Sequence, residues 1–218
     1  VLGFVNLLEG ARTAGVKRVL FASSGGAVYG DQEDLPTTEH HGTAPVSPYG
    51  VSKRAGEYYL FYYHASFGLP YVALRYANVY GPRQDPHGEA GVVAIFTERL
   101  LSGTEPIING DGSQTRDYVF VGDVAAANLA ALEAGFLGPV NIGTGIETDV
   151  TTLFALLSEA VGSSVPAAHG PAKPGEQRRS VVDPALARQV LAWAPRVGLE
   201  DGLRQVVAFF RGRRGGAS

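Results

Sequence analysis

Tyr49 and Lys53 lie four residues apart in a segment that favours a helix, so one helical face carries both a phenol and an ammonium group. A free phenol has a pKa near ~10 and is a poor base at neutral pH, but a nearby cation stabilises its anion. Such a pair can take a proton from a substrate hydroxyl while hydride leaves the same carbon. Ser23 and Ser24 end a neighbouring apolar segment, and a hydroxyl from either could hold the reacting oxygen. Taken alone, the same spacing is also typical of a surface pair on an amphipathic helix.

Apolar strands and amphipathic helices alternate along the chain and would position these side chains. The predicted strands are 18–24, 71–76, 117–121 and 139–143, and the predicted helices include 49–67, 152–161 and 199–210. A further helix is expected between Asp123, as its N-cap, and Gly135, as its end. Fully apolar strands between helices indicate an α/β fold with a mainly parallel sheet covered on both faces. Such sheets bind ligands at the carboxyl ends of their strands, where the serines lie.

The composition is that of a globular protein, with 45% hydrophobic and 18% charged residues. Eighteen Lys and Arg against 21 Asp and Glu give a net charge of −3, which disfavours nucleic acid as a partner. The chain has no Cys, and its five His residues show no metal-ligand spacing, so we expect no disulfide and no metal. No segment reaches the length of a membrane span, and we expect a cytoplasmic location.

Four motifs follow one another in a specific order. They are 21–30 (FASSGGAVYG), 47–53 (SPYGVSK), 74–82 (LRYANVYGP) and 116–124 (RDYVFVGDV). In these motifs, and over essentially its whole length, the chain resembles the extended short-chain dehydrogenase/reductases that act on nucleotide sugars, and among them the UDP-glucose 4-epimerases. The resemblance implies a doubly wound Rossmann-type parallel sheet, present here in part, with a smaller C-terminal substrate-binding α/β region. Residues 1–82 would belong to the NAD-binding domain and 83–218 mainly to the nucleotide-sugar region, with 117–145 returning to the first domain.

The same resemblance implies a Ser/Tyr/Lys triad and a tightly held NAD. The triad would be Ser24, Tyr49 and Lys53, with Ser23 as the alternative hydroxyl because the family varies in the turn that precedes Val28. The residues expected to contact NAD are Ser23, Tyr49, Lys53 and Tyr76. No glycine-rich turn opens a strand–helix unit here, and the chain has no Met. We therefore expect the N-terminal part of the NAD domain to be missing, and residues 1–218 alone to bind NAD poorly and to be inactive.

The substrate contacts that the resemblance implies extend along the second half of the chain. They are Asn78, Val92, Val93, Asn109, Arg116, Lys173, Glu176 and Ser180. Asn78 and Arg116 would contact the sugar diphosphate. The alternatives are that Asn78 only forms hydrogen bonds within its loop and that Arg116 forms a salt bridge with Asp117. Val92 and Val93 could equally be core residues. Three positions depart from the family pattern. Asn109 stands where many relatives stack an aromatic ring on uracil, Lys173 replaces an Arg, and Glu176 replaces an Asp.

The reaction type follows from a pair that this sequence lacks. Sugar dehydratases of the family have an Asp-Glu pair immediately before the Tyr-Gly that is here Tyr29-Gly30, whereas this chain has Ala27 and Val28. Without that acid/base pair we expect epimerisation at C4 of a UDP-hexose through a 4-keto intermediate, with N-acetylated hexoses accepted because Ser180 is small. The alternatives are a UDP-glucuronate epimerase or decarboxylase, which would need a cation for the carboxylate, and a non-catalytic dinucleotide-sensing protein.

The helix that carries Tyr49 is also rich in aromatic residues. They are Tyr58, Tyr59, Phe61, Tyr62 and Tyr63, more than one buried stripe can absorb. We expect a homodimer packed through this helix, as the family suggests.

Overall fold

Helices and short strands are mixed along the part of the chain that the structure describes. The computed structural model describes residues 1–87, 91–173, 175 and 177–215. The helices in these ranges are α1 (Leu2–Thr13), α2 (Gly25–Val28), α3 (Pro48–Phe67), α4 (Val92–Leu101), α5 (Val121–Glu133), α6 (Val150–Val161), α7 (Ala185–Leu191) and α8 (Leu199–Gly215). The strands are β1 (Val19–Ser24), β2 (Tyr71–Tyr76), β3 (Asn78–Tyr80), β4 (Ile107–Asn109), β5 (Thr115–Arg116), β6 (Tyr118–Phe120), β7 (Gly138–Ile142), β8 (Thr148–Asp149) and β9 (Ala168–Gly170).

A parallel sheet in the order β1-β2-β7 forms the centre of the first half. Its middle strand is buried on both faces. Tyr71 and Ala73 pack in one hydrophobic cluster with residues of α1 and α3, whereas Val72 and Leu74 pack in another with residues of α5 and α7. This alternation explains why the strand is apolar without a break. The predicted α/β fold with a parallel sheet of Rossmann type is confirmed.

Local sequence sets the bounds of α3, the helix that carries Tyr49 and Lys53. Ser47 caps its N-terminus by accepting a hydrogen bond from the Gly50 N–H at 3.1 Å, and Pro48 occupies the first turn. Gly68 ends the helix in the left-handed conformation, with φ of 71°. The helix therefore begins one residue before Tyr49, so its capped first turn sets the position of Tyr49 and Lys53.

Helix α5 differs from its prediction at both ends. Its N-cap is Phe120 and its C-cap is Ala134, so Asp123 lies within the first turn and Gly135 lies beyond the helix. The Asp123 carboxylate instead accepts hydrogen bonds from the N–H groups of Arg196 and Val197, both at 3.0 Å. These partners come from more than seventy residues away, so local spacing gives no sign of them. Asp123 thus ties α5 to the segment that leads into α8.

The second half packs around another hydrophobic cluster, which α4, α6 and α8 build together with β6. Three two-stranded ladders border it: β3 with β6 and β4 with β9, both parallel, and β5 with β8, antiparallel. In the first ladder Asn78 is the register partner of Tyr118. Because β3 follows β2 after a single residue, this ladder continues from the carboxyl end of the central sheet into the second half.

Candidate active site

Tyr49 and Lys53 both lie at the N-terminal end of α3, beside the carboxyl end of β1. The Lys53 ammonium donates a hydrogen bond to the Ala22 carbonyl at 2.8 Å and lies 5.5 Å from the centre of the Tyr49 ring. It also lies 5.2 Å from the Phe21 ring centre, and this half-buried position lowers the pKa of Lys53. Tyr49 is 55% exposed. The phenol is therefore open to a ligand, while the ammonium is held behind it against the strand.

The two candidate serines have different surroundings. Ser23 is 2% exposed, and its hydroxyl donates to a Glu57 carboxylate oxygen at 2.6 Å. Ser24 ends β1 and occupies the N-cap position of α2, on the side where Tyr49 is exposed. The buried carboxylate thus engages the Ser23 hydroxyl, whereas Ser24 lies one residue further toward the carboxyl end of the strand.

A cavity of about 530 Å³ opens at this end of the sheet, and we name it the reaction cavity. The sequence-predicted residues that line it are Ser23, Ser24, Tyr49, Tyr76, Asn78, Val92 and Val93. Tyr76 lines the cavity and also packs against the cluster that contains residues of α5 and α7. Its hydroxyl donates to the Asn128 side-chain oxygen at 3.0 Å, and burial raises the pKa of this phenol. Val93 also belongs to the hydrophobic core of the second half. A free phenol, a hydroxyl and an amide thus converge around a space large enough for a sugar ring.

A second cavity of about 390 Å³ adjoins the first, and we name it the basic cavity. Its charged lining consists of Arg99, Arg116 and Lys173. Asn109 lies in its wall, and Gln114 donates to the Asn109 carbonyl at 3.0 Å. The two cavities share a wall formed by Asn78, Gly91, Val92 and Tyr118. Cations on one side of this wall and proton-transferring groups on the other suit a ligand with an anionic part and a neutral part.

Asp117 supports this shared wall from behind. Its N–H donates to the Ser180 carbonyl at 2.9 Å, and its carbonyl accepts from the Asn78 N–H at 2.8 Å. Its carboxylate accepts from the N–H and hydroxyl of Thr144 and from the Gly145 N–H. Burial raises the pKa of Asp117, and these hydrogen bonds act in the opposite direction. The main chain of Asp117 thus links the strand that carries Arg116 to Asn78, and its buried carboxylate holds the turn at Thr144 and Gly145 against them.

Ser180 and Glu176 complete the sequence-predicted set. Ser180 is 7% exposed, and a methyl group at Gly26 would lie 3.2 Å from its hydroxyl oxygen, which places Ser180 just behind the floor of the reaction cavity. Glu176 falls outside the described residues.

Arg99 is a residue of the site that sequence reasoning missed. It follows Val92 by seven residues on α4, with Ile95 and Phe96 between them on the same face, and all four line the basic cavity. Its guanidinium donates to the Glu105 carbonyl at 3.0 Å, which holds the side chain across the end of the helix. The helical spacing from Val92 is the signal that could have identified it.

Neither a metal centre nor a membrane helix is found in the part of the chain that the structure describes. No group of three His, Asp or Glu residues in these ranges could hold a metal ion. None of the helices in the same ranges is long and apolar enough to cross a membrane.

Comparison with known proteins identifies the family. The sequence model of the NAD dependent epimerase/dehydratase family matches residues 1–143. The chain belongs to this family. It is 47% identical over 211 residues to a putative UDP-glucose 4-epimerase of Methanocaldococcus jannaschii, with 97% of this chain and 68% of that protein covered. It is 49% identical over 214 residues to the UDP-glucose 4-epimerase of Mycolicibacterium smegmatis, covering 98% and 68% respectively.

Solved structures agree with this assignment. The UDP-glucose 4-epimerase of Thermotoga maritima, solved with UDP-glucose, superposes with a TM-score of 0.97 at 48% identity, over 98% of this chain and 70% of that one. The Thermus thermophilus UDP-glucose 4-epimerase, solved with NAD, gives 0.92 at 44% identity, over 100% and 70%. The resemblance to UDP-glucose 4-epimerases drawn from the four motifs is therefore confirmed.

NAD is the cofactor of the epimerase/dehydratase family, and the residues present fit its reactive end. Dinucleotides bind at the carboxyl ends of the strands in such sheets. Here β1 and β2 end at Ser24 and Tyr76, and both residues line the reaction cavity beside Tyr49. Lys53 adds an ammonium held by the Ala22 carbonyl. This donor set suits a ribose hydroxyl and a nicotinamide ring, and these four residues would hold that end of NAD.

Proposed function

We propose that this member of the epimerase family interconverts UDP-hexoses by NAD-dependent epimerisation at C4, with UDP-glucose and UDP-galactose as its substrates. The observation that carries the proposal is the shared wall between the reaction cavity and the basic cavity. A UDP-hexose has the matching form, because a neutral sugar is attached to a diphosphate with two negative charges. The relatives support it, since the Thermotoga maritima epimerase was solved with UDP-glucose and the Thermus thermophilus epimerase with NAD.

The chemistry at C4 requires a proton and a hydride to leave the same carbon–oxygen unit. NAD, when bound, supplies the hydride acceptor and returns the hydride to the sugar. Tyr49 takes the proton from the C4 hydroxyl, and Ser24 donates a hydrogen bond to the same oxygen. The Lys53 ammonium lies 5.5 Å from the Tyr49 ring centre and places a positive charge beside the group that transfers the proton. Tyr49 gives the proton back when hydride returns to the opposite face of the 4-keto sugar.

Inversion requires the sugar to turn over while the nucleotide remains bound. We assign the anchoring of the diphosphate to Arg116 and Lys173 in the basic cavity, with Asn78 at the shared wall. Asn109 would lie against the base, and Val92 and Val93 would line the passage between the cavities. Glu176, expected at the ribose, remains a sequence prediction. An anchored diphosphate and an unattached sugar allow both faces of C4 to reach the hydride acceptor.

The reaction cavity favours a hexose over a hexuronate. Of the described residues that line it, none carries a positive charge, whereas the basic cavity has three cations. A hexuronate carboxylate in the reaction cavity would lose its hydration without gaining a charged partner. We therefore place UDP-glucuronate behind UDP-glucose as a substrate. Ser180, small and close to Gly26, leaves room for an acetamido group at C2.

We also propose that the protein is a homodimer formed through α3. Tyr58, Phe61 and Tyr62 are 59%, 60% and 51% exposed, whereas Tyr63 is buried. Three large aromatic side chains within five residues form an apolar surface that a second copy of the same helix would cover. Sedimentation of the active native protein as a dimer at micromolar concentration is expected, and a monomer under those conditions would contradict this assembly.

The decisive experiment measures products formed from candidate nucleotide sugars. The full-length native protein, not residues 1–218 alone, is incubated with UDP-glucose, UDP-galactose, their N-acetylated forms and UDP-glucuronate, and products are identified by proton NMR. We expect interconversion of the first two. Tyr49→Phe should keep NAD bound and lower turnover by about 10²–10⁴-fold, because the general base is lost. Val51→Ala, which alters an exposed side chain on the same helix, is the control. Near-normal turnover in Tyr49→Phe would remove Tyr49 from the mechanism.

A further inference from the structure

A buried carboxylate on α3 accepts hydrogen bonds from three side chains. Glu57 is 4% exposed. One of its oxygens accepts from the Ser23 hydroxyl at 2.6 Å and from Arg75 Nε at 2.9 Å. The other accepts from Arg75 Nη2 and from Arg54 Nη1, both at 2.7 Å. The two bonds from Arg75 form a two-pronged pair, the geometry that most strongly restricts how a guanidinium and a carboxylate can lie.

Arg75 carries the network further across the sheet. It is 2% exposed, and its remaining Nη1 donates to the Tyr29 hydroxyl at 2.8 Å. The Tyr29 hydroxyl in turn donates to the Asn141 side-chain oxygen at 2.8 Å. Burial raises the pKa of Tyr29 to about 12, although the Arg75 charge opposes the shift, so this phenol remains a donor at neutral pH. The Asn141 amide then donates to the Thr37 carbonyl at 2.9 Å.

The network occupies one row of the parallel sheet. Ser23, Arg75 and Asn141 are register partners on β1, β2 and β7. The next row toward the carboxyl ends contains Ser24 and Tyr76, both of which line the reaction cavity. The buried charges therefore lie one residue behind the row that would meet substrate. A shift of α3 along this row would move its N-terminal residues relative to Ser24.

Glu57 shares a helical face with the two proposed catalytic residues. Tyr49, Lys53 and Glu57 are spaced by four residues, so they form one stripe along α3. Gly56 allows this stripe to approach β1 closely, since a methyl group there would lie 2.6 Å from the Phe21 ring. The same ring lies under the Lys53 ammonium. The helix is thus in close contact with the strand at its centre, next to the Glu57 carboxylate.

We propose that Glu57, held by Arg75, is a positioning residue that sets the rotation and height of α3 so that Tyr49 and Lys53 lie over Ser24. The proposal rests on the proposed function of those three residues. Removing one partner of a buried ion pair is costly, but replacing both with apolar groups often preserves stability, so stability alone does not require the pair. The two-pronged geometry of the Glu57–Arg75 pair instead restricts how α3 can pack against β1 and β2.

Three variants separate positioning from folding. Glu57→Gln keeps the shape and the acceptor for Ser23 but removes the charge that pairs with Arg75. The double variant Glu57→Leu/Arg75→Met replaces both members of the pair with apolar groups, which should return the thermal midpoint to near the wild-type value. Glu9→Gln is the matched control. Glu9 lies on α1 and accepts a hydrogen bond from Tyr63, which is near the C-terminal end of α3.

The kinetic readout, taken on the full-length native protein and its variants, is the split between kcat and KM with UDP-glucose. Glu57→Gln and the double variant should each lose about 10–100-fold in kcat, because a displacement on the order of 1 Å at reacting groups has this effect. KM should stay within about twofold in both, since the basic cavity is untouched, and Glu9→Gln should match wild type in both constants. Recovery of kcat together with stability in the double variant would overturn the proposal, as would a wild-type kcat in Glu57→Gln.

A spectroscopic readout tests the positioning without turnover. With 3-fluorotyrosine at position 49, the ¹⁹F resonance should shift in Glu57→Gln and in the double variant but not in Glu9→Gln, at a temperature where all variants are folded. An unchanged resonance in the first two would overturn the proposal. Failure of the wild-type protein to epimerise UDP-hexoses would refute the proposed function, and the ¹⁹F comparison would still decide whether Glu57 sets the position of Tyr49.

Discussion

Gly50→Ala perturbs the contact that places Tyr49 above the sheet. Gly50 follows Tyr49 on α3 and is buried against α2. A methyl group at this position would lie 2.4 Å from the Ala27 carbonyl oxygen and 3.0 Å from Pro45 Cβ. Ordinary contact begins at 3.4 Å, so relief requires a shift of 3.4 − 2.4 = 1.0 Å. Because the nearest atom is backbone, α3 and α2 must move apart.

The magnitude follows from two opposing effects on the free energy of unfolding. Overpacking of this kind costs about 1–3 kcal/mol. Alanine is a better helix former than glycine by about 1 kcal/mol, which offsets part of that cost. Gly10→Ala in α1 is the matched control, since Gly10 is an exposed helical glycine with nothing within 4 Å of the added methyl group. Gly10→Ala should gain the propensity term alone, so the two variants should differ by about 1–3 kcal/mol.

Thermal unfolding followed by circular dichroism measures this difference. A domain of this size shifts by about 2–4 °C per kcal/mol, so Gly50→Ala should melt roughly 2–12 °C below Gly10→Ala. In the native protein the displacement of Tyr49 should also lower kcat by about 10²-fold, while Gly10→Ala should keep wild-type turnover. Equal melting temperatures for the two variants would refute the reasoning, because the close contact would then carry no cost.

Other parts of the structure give three further predictions. Ser180→Tyr should reduce kcat/KM for UDP-N-acetylglucosamine at least about 10-fold more than for UDP-glucose, and equal losses would show that Ser180 does not control substrate width. Asp117→Asn should lower the free energy of unfolding by about 1–3 kcal/mol in urea titrations, because an amide N–H₂ would face backbone donors; no loss would contradict this. Burial would raise the pKa of Glu57, but Arg75 and its other donors lower it below the ordinary 4.5. The ionised Glu57 side chain should thus stabilise the folded state fully above pH 4.5, and this contribution should be lost as the pH falls through its lowered pKa. The difference in the free energy of unfolding between wild type and Glu57→Gln should therefore narrow in acid.

Local sequence was enough to predict three of the elements that carry the motifs, but not the short helix α2 or the strand β3. The strand before Ser24, the helix from Tyr49 and the strand before Asn78 follow from unbroken apolar runs and capping residues, which depend on neighbours in the chain. Asp123 shows where this reasoning ends. It has the residue type of an N-cap, but its partners are the N–H groups of Arg196 and Val197, which only the folded chain brings near.

The network around Glu57 lies beyond sequence reasoning for the same reason. A glutamate in the middle of a helical segment is typical of a solvated face. Its burial depends on Arg75, eighteen residues further on, and on the pairing of β1 with β2 that aligns Ser23 with Arg75. Arg99 differs in part, because its spacing from Val92 can be read from the sequence, but its place in the basic cavity depends on how α4 packs against α6 and α8. In both residues the charge is visible in the sequence, but the partner is set by tertiary packing.

The wall between the two cavities also bears on how such a site can change over evolution. In the proposed reaction Arg116 and Lys173 bind the diphosphate on one side of this wall, and the sugar is epimerised on the other side. Substitutions that reshape the sugar side, at Val93 or Ser180, need not disturb the grip. Substitutions around Asn109 can alter the preferred base without touching Tyr49. Nucleotide recognition and sugar specificity can therefore change independently, and one fold can acquire new sugar substrates while it binds the same nucleotide.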